Sequence, residues 1–146
     1  MTAYKFNFDN AQEGHIADSS IRRIDSYPAA TNLSFGKVIK VEVEVITGSL
    51  FAEPWTFNEY PFGITVYDPT QINGYYQTNT MASILSFGRI SVQCEDDIIA
   101  GQLAYIDSAT GNITGIFGVT HRAIGIFLTS GLTGELLVLQ FQPSIT

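Results

Sequence analysis

The sequence predicts an all-β protein, a compact antiparallel β-barrel or sandwich with an extended N-terminal arm. Three observations predict it: a run at 36–46 that alternates apolar and charged residues, further strand-like runs separated by glycine-bearing turns, and almost no helical periodicity. With 146 residues, the chain is long enough for one ordinary domain and too short for two. We therefore predict a β-domain at 36–146, preceded by an arm at 1–35.

The clearest strand is predicted at 36–46, GKVIKVEVEVI. Its apolar residues recur at every second position, as in a strand with one buried face. A second strand, FGITVYD at 62–68, ends in an Asp-Pro turn. A third is predicted at 84–94, where the internal Gly88 indicates a bulge or a close approach of two backbones. The remaining strands are predicted from QLAYID, NITGIFG, AIGIFLT and ELLVLQFQ.

The loop at 107–111, DSATG, carries groups that are able to bind a metal or a phosphate. A phosphate site needs such a turn to open a helix, and the residues that follow do not predict a helix. A calcium site needs more carboxylates than Asp107 alone supplies. We therefore predict a hairpin turn in which Gly111 adopts a positive φ and Asp107 or Ser108 bonds to nearby backbone.

No group of residues in the sequence predicts a reaction. Cys94 is the only cysteine, and its place in a strand predicts a small packed hydrophobic residue rather than a catalytic thiolate. The two histidines, His15 and His121, could join a carboxylate in a metal site, but their spacing specifies none. The acidic trio at 95–97 is predicted to be a solvated turn. We expect no catalytic residue, no metal, no cofactor and no enzymatic activity.

Composition and charge argue against several partner classes. Charged residues make up 14% of the chain, against roughly 25% in an average soluble domain, and such a neutral surface suits a protein packed against others. After residue 40, two basic residues face ten acidic ones, which argues against binding nucleic acid. No run approaches the ~20 apolar residues of a membrane span. The N-terminus lacks a secretory signal pattern, so we expect synthesis in a reducing cytoplasm.

An aromatic stretch at 50–63, LFAEPWTFNEYPFG, has three interpretations that the sequence leaves open. It can be core beneath a barrel end, an anchor that faces a partner, or a platform on which sugars stack. Two tyrosines after an Asn-Gly turn add further rings. The candidate aromatic patch consists of Phe51, Trp55, Phe57, Tyr60, Tyr75 and Tyr76.

The predicted arm at 1–35 combines sparse hydrophobic residues with turn-forming ones. Such a segment does not fold alone, so we expect it to lie over a neighbouring protein. Its paired arginines can bind partner carboxylates in a bidentate geometry. The candidate contact residues are Ile21, Arg22, Arg23, Ile24 and Tyr27.

Four stretches of the chain, taken in order, form a recognisable pattern. Residues 14–39 hold a Gly, an apolar pair with Ala-Asp-Ser, then Ile and Ser, and a Phe-Gly before the first strand. Residues 62–94 hold a Phe-Gly-Ile strand, a polar connection and a strand with Gly-Arg before alternating residues. Residues 100–115 hold the Tyr-Ile-Asp and Thr-Gly hairpin, and 123–141 a closing pair of strands. This order resembles the structural cement proteins of tailed bacteriophage capsids.

The resemblance implies a non-enzymatic capsid decoration protein that binds the outer surface of an expanded phage head, bridges neighbouring capsomers and stabilises the shell. It implies the major capsid protein as the partner, and we also expect a homo-oligomer, with a trimer favoured over a dimer. The protein would be made in the bacterial host cytoplasm and end on the outside of the virion. Leu33-Ser34, where an Ile-Pro is common, and the longer aromatic stretch depart from the family pattern. The alternative is a carbohydrate-binding or other virion adhesion module that uses Trp55 and the tyrosine-bearing loops.

Overall fold

A computed structural model describes residues 13–18 and 21–143, and within them it contains eleven β-strands and no α-helix. The all-β prediction is therefore confirmed. The strands are β1 (Arg23–Pro28), β2 (Leu33–Ser34), β3 (Val38–Val43), β4 (Leu50–Pro54), β5 (Gly63–Thr65), β6 (Tyr75–Tyr76), β7 (Met81–Gln93), β8 (Leu103–Ile106), β9 (Ile113–Thr114), β10 (Arg122–Phe127) and β11 (Leu136–Phe141).

Nine of the strands form one curled antiparallel sheet, which makes a half-barrel. Its order is β4-β3-β5-β7-β11-β10-β8-β9, with β1 paired to β7, while β2 and β6 form a separate pair. The thirteen-residue β7 connects the two halves, because its first part pairs with β1 and β5 and its second part with β11. An isolated parallel bridge between Ala29 and Ala52 joins the chain just after β1 to β4.

Two clusters of buried side chains form the core. Along β11, burial alternates, and Leu137, Leu139 and Phe141 point inward. They belong to the larger cluster, which also receives Leu85 from β7, whereas the adjacent Ile84 belongs to the smaller cluster on the other side. The middle of the sheet is therefore buried on both faces, and contact surfaces must be sought at its ends and in its loops.

Gly88, inside β7, confirms the predicted close approach of two backbones. Its φ is +134°, and an added Cβ would lie 2.8 Å from the Cβ of Arg22. The β1–β7 register shifts next to this point, between Arg23 and Ile24. The sequence leaves open whether this glycine marks a bulge or a close approach, and the structure has a close approach with a register shift beside it.

Much of the predicted arm is hydrogen-bonded to the chain's own sheet. The whole of β1 pairs with β7. Ahead of it, the Gly14 amide donates to the Ser91 carbonyl, and the Ser91 amide donates to the His15 carbonyl, both at 2.8 Å. The division into an arm at 1–35 and a domain at 36–146 stays a prediction, and residues 1–12, 19 and 20 of the arm lie outside the described residues.

Candidate interaction surfaces

The described surface carries many large apolar side chains. Eighteen of them are exposed among the described residues, and Val45, Ile46, Ile72 and Val119 are each at least 90% exposed. Single exposed apolar residues are ordinary on a folded protein. Several of them close together indicate a place where another molecule binds.

The first such place is the hairpin tip, residues 43–50, which joins β3 to β4. The predicted strand alternation continues into this tip, but burial does not: Val45 is 97% exposed and Ile46 is 90% exposed. The Thr47 hydroxyl donates to the carboxylate of Glu44 at 2.9 Å, so the turn is closed by its own polar groups. The tip therefore presents two branched apolar side chains on a hydrogen-bonded turn.

The predicted contact residues occupy the start of β1. The Arg23 side chain is 75% exposed, and its Nε lies 3.2 Å from Asp25 Oδ2. Tyr27 is different, because it is half-buried and its ring meets that of Phe62 edge-on, with the centroids 5.4 Å apart. The structure thus brings four of the five predicted residues together on the surface: Ile21, Arg22, Arg23 and Ile24.

The hairpin tip and the start of β1 lie at the same end of the half-barrel. The parallel bridge between Ala29 and Ala52 means that β1 and β4 run in the same direction. Arg23 lies six residues before Ala29, and Ile46 lies six residues before Ala52. Both segments therefore lead towards this end, where Ile46 lies in the turn that precedes β4. We call the exposed apolar residues there the apolar end: Ile21, Ile24, Val43, Val45, Ile46 and Leu50.

A second surface is a cleft of about 470 Å³ between the aromatic stretch and the segment that leads into β10. Phe57 is 50% exposed and Val119 is 94% exposed at this cleft. The guanidinium carbon of Arg122 lies 5.3 Å from the ring centroid of Tyr60, a cation–π distance. The lining residues are Trp55, Phe57, Asn58, Val119, Thr120, His121, Arg122 and Ala123.

A third surface is a groove of about 360 Å³ along β8 and β10, which shares Ala123 with the cleft. Leu103 and Ile126 are directly opposite each other across these two strands, and both are exposed. The rest of its lining comes from small or uncharged residues, among them Gly125 and Gln140. Cleft and groove therefore form one extended, weakly charged flank of the molecule.

The six residues of the predicted aromatic patch do not form one surface. Trp55 is only 7% exposed, and its Nε1 donates to the Glu59 carbonyl at 2.8 Å. Tyr76 is fully buried, and its hydroxyl donates to the Val66 carbonyl at 2.6 Å. Neither ring presents a face on which a sugar can stack. Of the others, Phe57 and Tyr60 are exposed, whereas Phe51 and Tyr75 are half-buried.

The loop at 107–111 is the hairpin turn that the sequence predicts. It joins the antiparallel strands β8 and β9, and Gly111 has a φ of +75°. The Ala109 amide donates to Asp107 Oδ1 at 2.8 Å. A hydrogen bond shared with Glu95 lowers the pKa of Asp107 and raises the pKa of Glu95. The polar groups of this loop thus bond to one another and to nearby backbone.

The two histidines lie in separate surroundings. The ring of His15 meets that of Tyr67 edge-on at 4.4 Å, and His121 Nε2 lies 3.5 Å from Asp107 Oδ1. Among the residues that the structure describes, no group of three or more His, Cys, Asp or Glu side chains is placed to hold a metal ion. Within the same residues, no helix has the length and apolar character needed to cross a membrane.

Cys94 is buried, as predicted, and this gives a testable expectation. Burial, with a smaller contribution from Asp96, raises the pKa of its thiol to about 12. Because the thiolate is the reactive form, we expect a maleimide to leave the native protein unmodified near neutral pH and to label it fully in denaturant. Mass spectrometry measures the labelled fraction of the protein under native and under denaturing conditions. Labelling of the native protein at the rate of a free thiol would contradict the buried placement.

Comparison with known proteins agrees with this architecture. A sequence-family model described as "Structural cement protein (E217 gp24/Pam3 gp6)" matches residues 1–142. A crystal structure of the head fiber gp8.5 N base of bacteriophage phi29 is similar, with a TM-score of 0.58 and 12% identity over 86% of this chain and 99% of that one. A chain from the capsid of Myoviridae phage XM1 gives a TM-score of 0.64 and 16% identity over 89% of each chain. No curated protein sequence matches the chain significantly.

At 12% and 16% identity, the two solved structures show that they share their fold with this chain. They do not show that the side chains on the surface are shared. The family match is stronger, because it spans nearly the whole chain. It confirms the resemblance seen in the sequence. The chain belongs to the structural cement protein family of phages.

Proposed function

We propose that this protein binds the outer surface of an expanded phage head, bridges neighbouring capsomers and stabilises the shell, without catalysing a reaction. Membership of the cement family gives it a structural, capsid-associated role. The observation that carries the finer proposal is the set of eighteen exposed large apolar side chains on the described surface. Side chains of this kind are what a protein buries when it docks on another.

A bridging protein needs at least two separate contact surfaces. The apolar end provides one, and the flank formed by the cleft and the groove provides another. They are separated along the β3–β4 hairpin. The tip lies beyond the Val43 end of β3, whereas Trp55, which lines the cleft, donates its amide to the carbonyl of Val38 at the other end of β3. Simultaneous contact with two neighbouring proteins is therefore sterically available.

Stabilisation of the shell follows from mass action. A ligand that binds only the expanded lattice stabilises it by about 2.7 kcal/mol per site at a concentration of 100 times Kd. Because a shell repeats the same site many times, modest contacts add up to a large resistance to internal pressure. The proposed partner is the major capsid protein. Self-association into a trimer, or less favourably a dimer, would add avidity to each contact.

The start of β1 is the proposed site of capsid contact. Within the described part of the chain, Arg22 has no ion-pair partner, and Arg23 is paired only with Asp25. Both guanidinium groups are exposed and able to bind carboxylates on the capsid protein in a bidentate geometry. Ile21 and Ile24 add apolar contact, and the half-buried Tyr27 would support them from the core side.

The test is co-sedimentation with expanded and unexpanded capsids that lack this protein. We expect saturable binding to the expanded shell at a fixed ratio to the capsid protein, and little binding to the unexpanded one. Reversal of both charges, Arg22→Glu with Arg23→Glu, should weaken binding by at least about tenfold, since each charge-assisted bond contributes about 1.5–3 kcal/mol.

The matched control places two new acids elsewhere, Asn73→Glu with Gln77→Glu, in exposed positions before β7. This variant should bind as the unmodified protein does. Normal attachment of the double arginine variant would refute the contact at β1. Absence of binding by the unmodified protein would refute the proposed function itself.

A further inference from the structure

We infer that the protein docks on the shell with its apolar end, so that the hairpin tip at 43–50 and the start of β1 enter one apolar hollow of the major capsid protein together. The inference rests on the proposed function and adds an orientation to it. The turn that carries Ile72 then faces away from that capsid subunit. The sequence alone gives no reason to join the tip to the predicted arm contacts, because Val45 lies more than twenty residues from Arg22 along the chain.

The register of the strands is the first reason for this assignment. Because β1 and β4 run in the same direction from the Ala29–Ala52 bridge, Arg23 and the hairpin tip lie towards the same end. Val45 and Ile46, at 97% and 90% exposure, therefore lie at the same end of the half-barrel as the arginines. A narrow hairpin tip with two branched side chains is shaped to enter a hollow, not to cover a flat face.

The distribution of charge identifies the chemistry of the partner. The two carboxylates nearest the tip are already bonded within the chain: Glu44 accepts from Thr47, and Glu42 lies 2.6 Å from Lys40 Nζ. The hydrogen bond from Lys40 to Glu42 also raises the pKa of Lys40. Arg22, by contrast, has no ion-pair partner within the described residues. Glu44 keeps its negative charge, because the Thr47 hydroxyl that donates to it is neutral. The hollow should therefore be apolar, with a carboxylate opposite Arg22 and a hydrogen-bond donor opposite Glu44.

The opposite end supplies an internal comparison. Ile72, in the turn before β6, is 98% exposed. Like Val45 and Ile46, it is a branched apolar side chain that is almost fully exposed. It lies at the end where Pro28 pairs with Met81, whereas Arg23 pairs with Phe87 at the other end of the same strand pair. Apolar exposure alone would therefore predict both ends as contacts. Only the apolar end combines it with an exposed arginine, Arg22, that has no ion-pair partner among the described residues, whereas residues 66–80 hold no Lys or Arg.

The first experiment measures binding of Val45→Ser with Ile46→Ser to expanded capsids. We expect at least a tenfold loss of affinity, while Ile72→Ser binds as the unmodified protein does. All three substituted side chains are exposed, so the thermal unfolding midpoint should be unchanged. Equal binding by the tip variant and the unmodified protein would overturn the inference.

The second experiment determines orientation directly, using the inert Cys94. Because this only cysteine is buried and has a raised pKa, a single added cysteine can be labelled selectively. We expect capsid binding to slow maleimide labelling of a Thr47→Cys variant at least tenfold and to leave labelling of an Asn73→Cys variant unchanged. Protection of the Asn73→Cys variant alone would overturn the orientation and leave the proposed function standing.

A second copy of the chain is the competing occupant of the apolar end. Analytical ultracentrifugation of the free protein distinguishes it. If the tip variant dissociates an oligomer and still binds capsids normally, the apolar end joins copies and the inference fails. If the variant keeps the oligomeric state of the unmodified protein and no longer binds the shell, the inference stands.

Discussion

Gly14→Ala is expected to lower the free energy of unfolding by about 2–4 kcal/mol. An added Cβ would lie 2.7 Å from the carbonyl oxygen of Thr65 and 2.8 Å from the amide nitrogen of Tyr67, both of which are backbone atoms. Gly14 also has a φ of +84°, which disfavours any residue with a Cβ. The corresponding fall in the unfolding midpoint is roughly 5–15 °C, measured by circular dichroism.

Gly48→Ala is the matched control for this prediction. Gly48 has a similar φ of +73°, but an added Cβ there would meet nothing within 4 Å. The control therefore carries only the conformational penalty, about 1 kcal/mol. If both variants lose the same stability, the close packing around Gly14 does not contribute to the fold.

The loss of stability in Gly14→Ala also tests where the predicted arm ends. Gly14 is bonded to β7 through Ser91 and receives a hydrogen bond from the Tyr67 amide at 2.9 Å. A large effect of Gly14→Ala would mean that residues 13–18 belong to the folding unit, which would shorten the segment that is free to lie over a neighbour. A small effect would favour the division at residue 35.

The strands that could be predicted from the sequence are those with one buried face. In β11, LLVLQF, five of the six residues are apolar, and burial alternates along the strand. β1, RIDSYP, has no such pattern, and it forms a strand because its backbone pairs with β7. Backbone hydrogen bonds to a distant segment leave no periodic signal in the side chains, so β1 was included in the predicted arm.

The interaction surfaces were predictable only in part. The exposure of Arg22 and Ile21 follows from a polar, sparsely apolar segment. The hairpin tip was missed, although the signal was present: the apolar alternation runs on to Val45 and Ile46 directly before a Thr-Gly turn. In an ordinary hairpin, such a turn carries polar residues. The exposed apolar residues at this position are the reason that we propose a contact here.

Trp55→Ala is expected to produce the second large effect, a loss of about 3–5 kcal/mol of stability. Trp55 is 7% exposed, belongs to the larger core cluster and donates its indole N–H to the Glu59 carbonyl. Removal of the ring would leave a cavity and would leave the Glu59 carbonyl with only the longer hydrogen bond from Arg122, at 3.5 Å. Chemical denaturation measures the effect as a lower midpoint with an unchanged slope.

Phe57→Ala, two residues further along, is the informative partner of this variant. Phe57 is 50% exposed at the cleft, so its truncation should change stability by no more than about 0.5–1 kcal/mol. Composition cannot distinguish the two rings. Trp55 continues the β3–β4 pairing through the bond from its amide to the Val38 carbonyl, whereas Phe57 lies in the turn that follows. If Phe57→Ala folds normally and weakens capsid binding, the stretch is both core and anchor. Equal destabilisation by the two variants would mean that it is core alone.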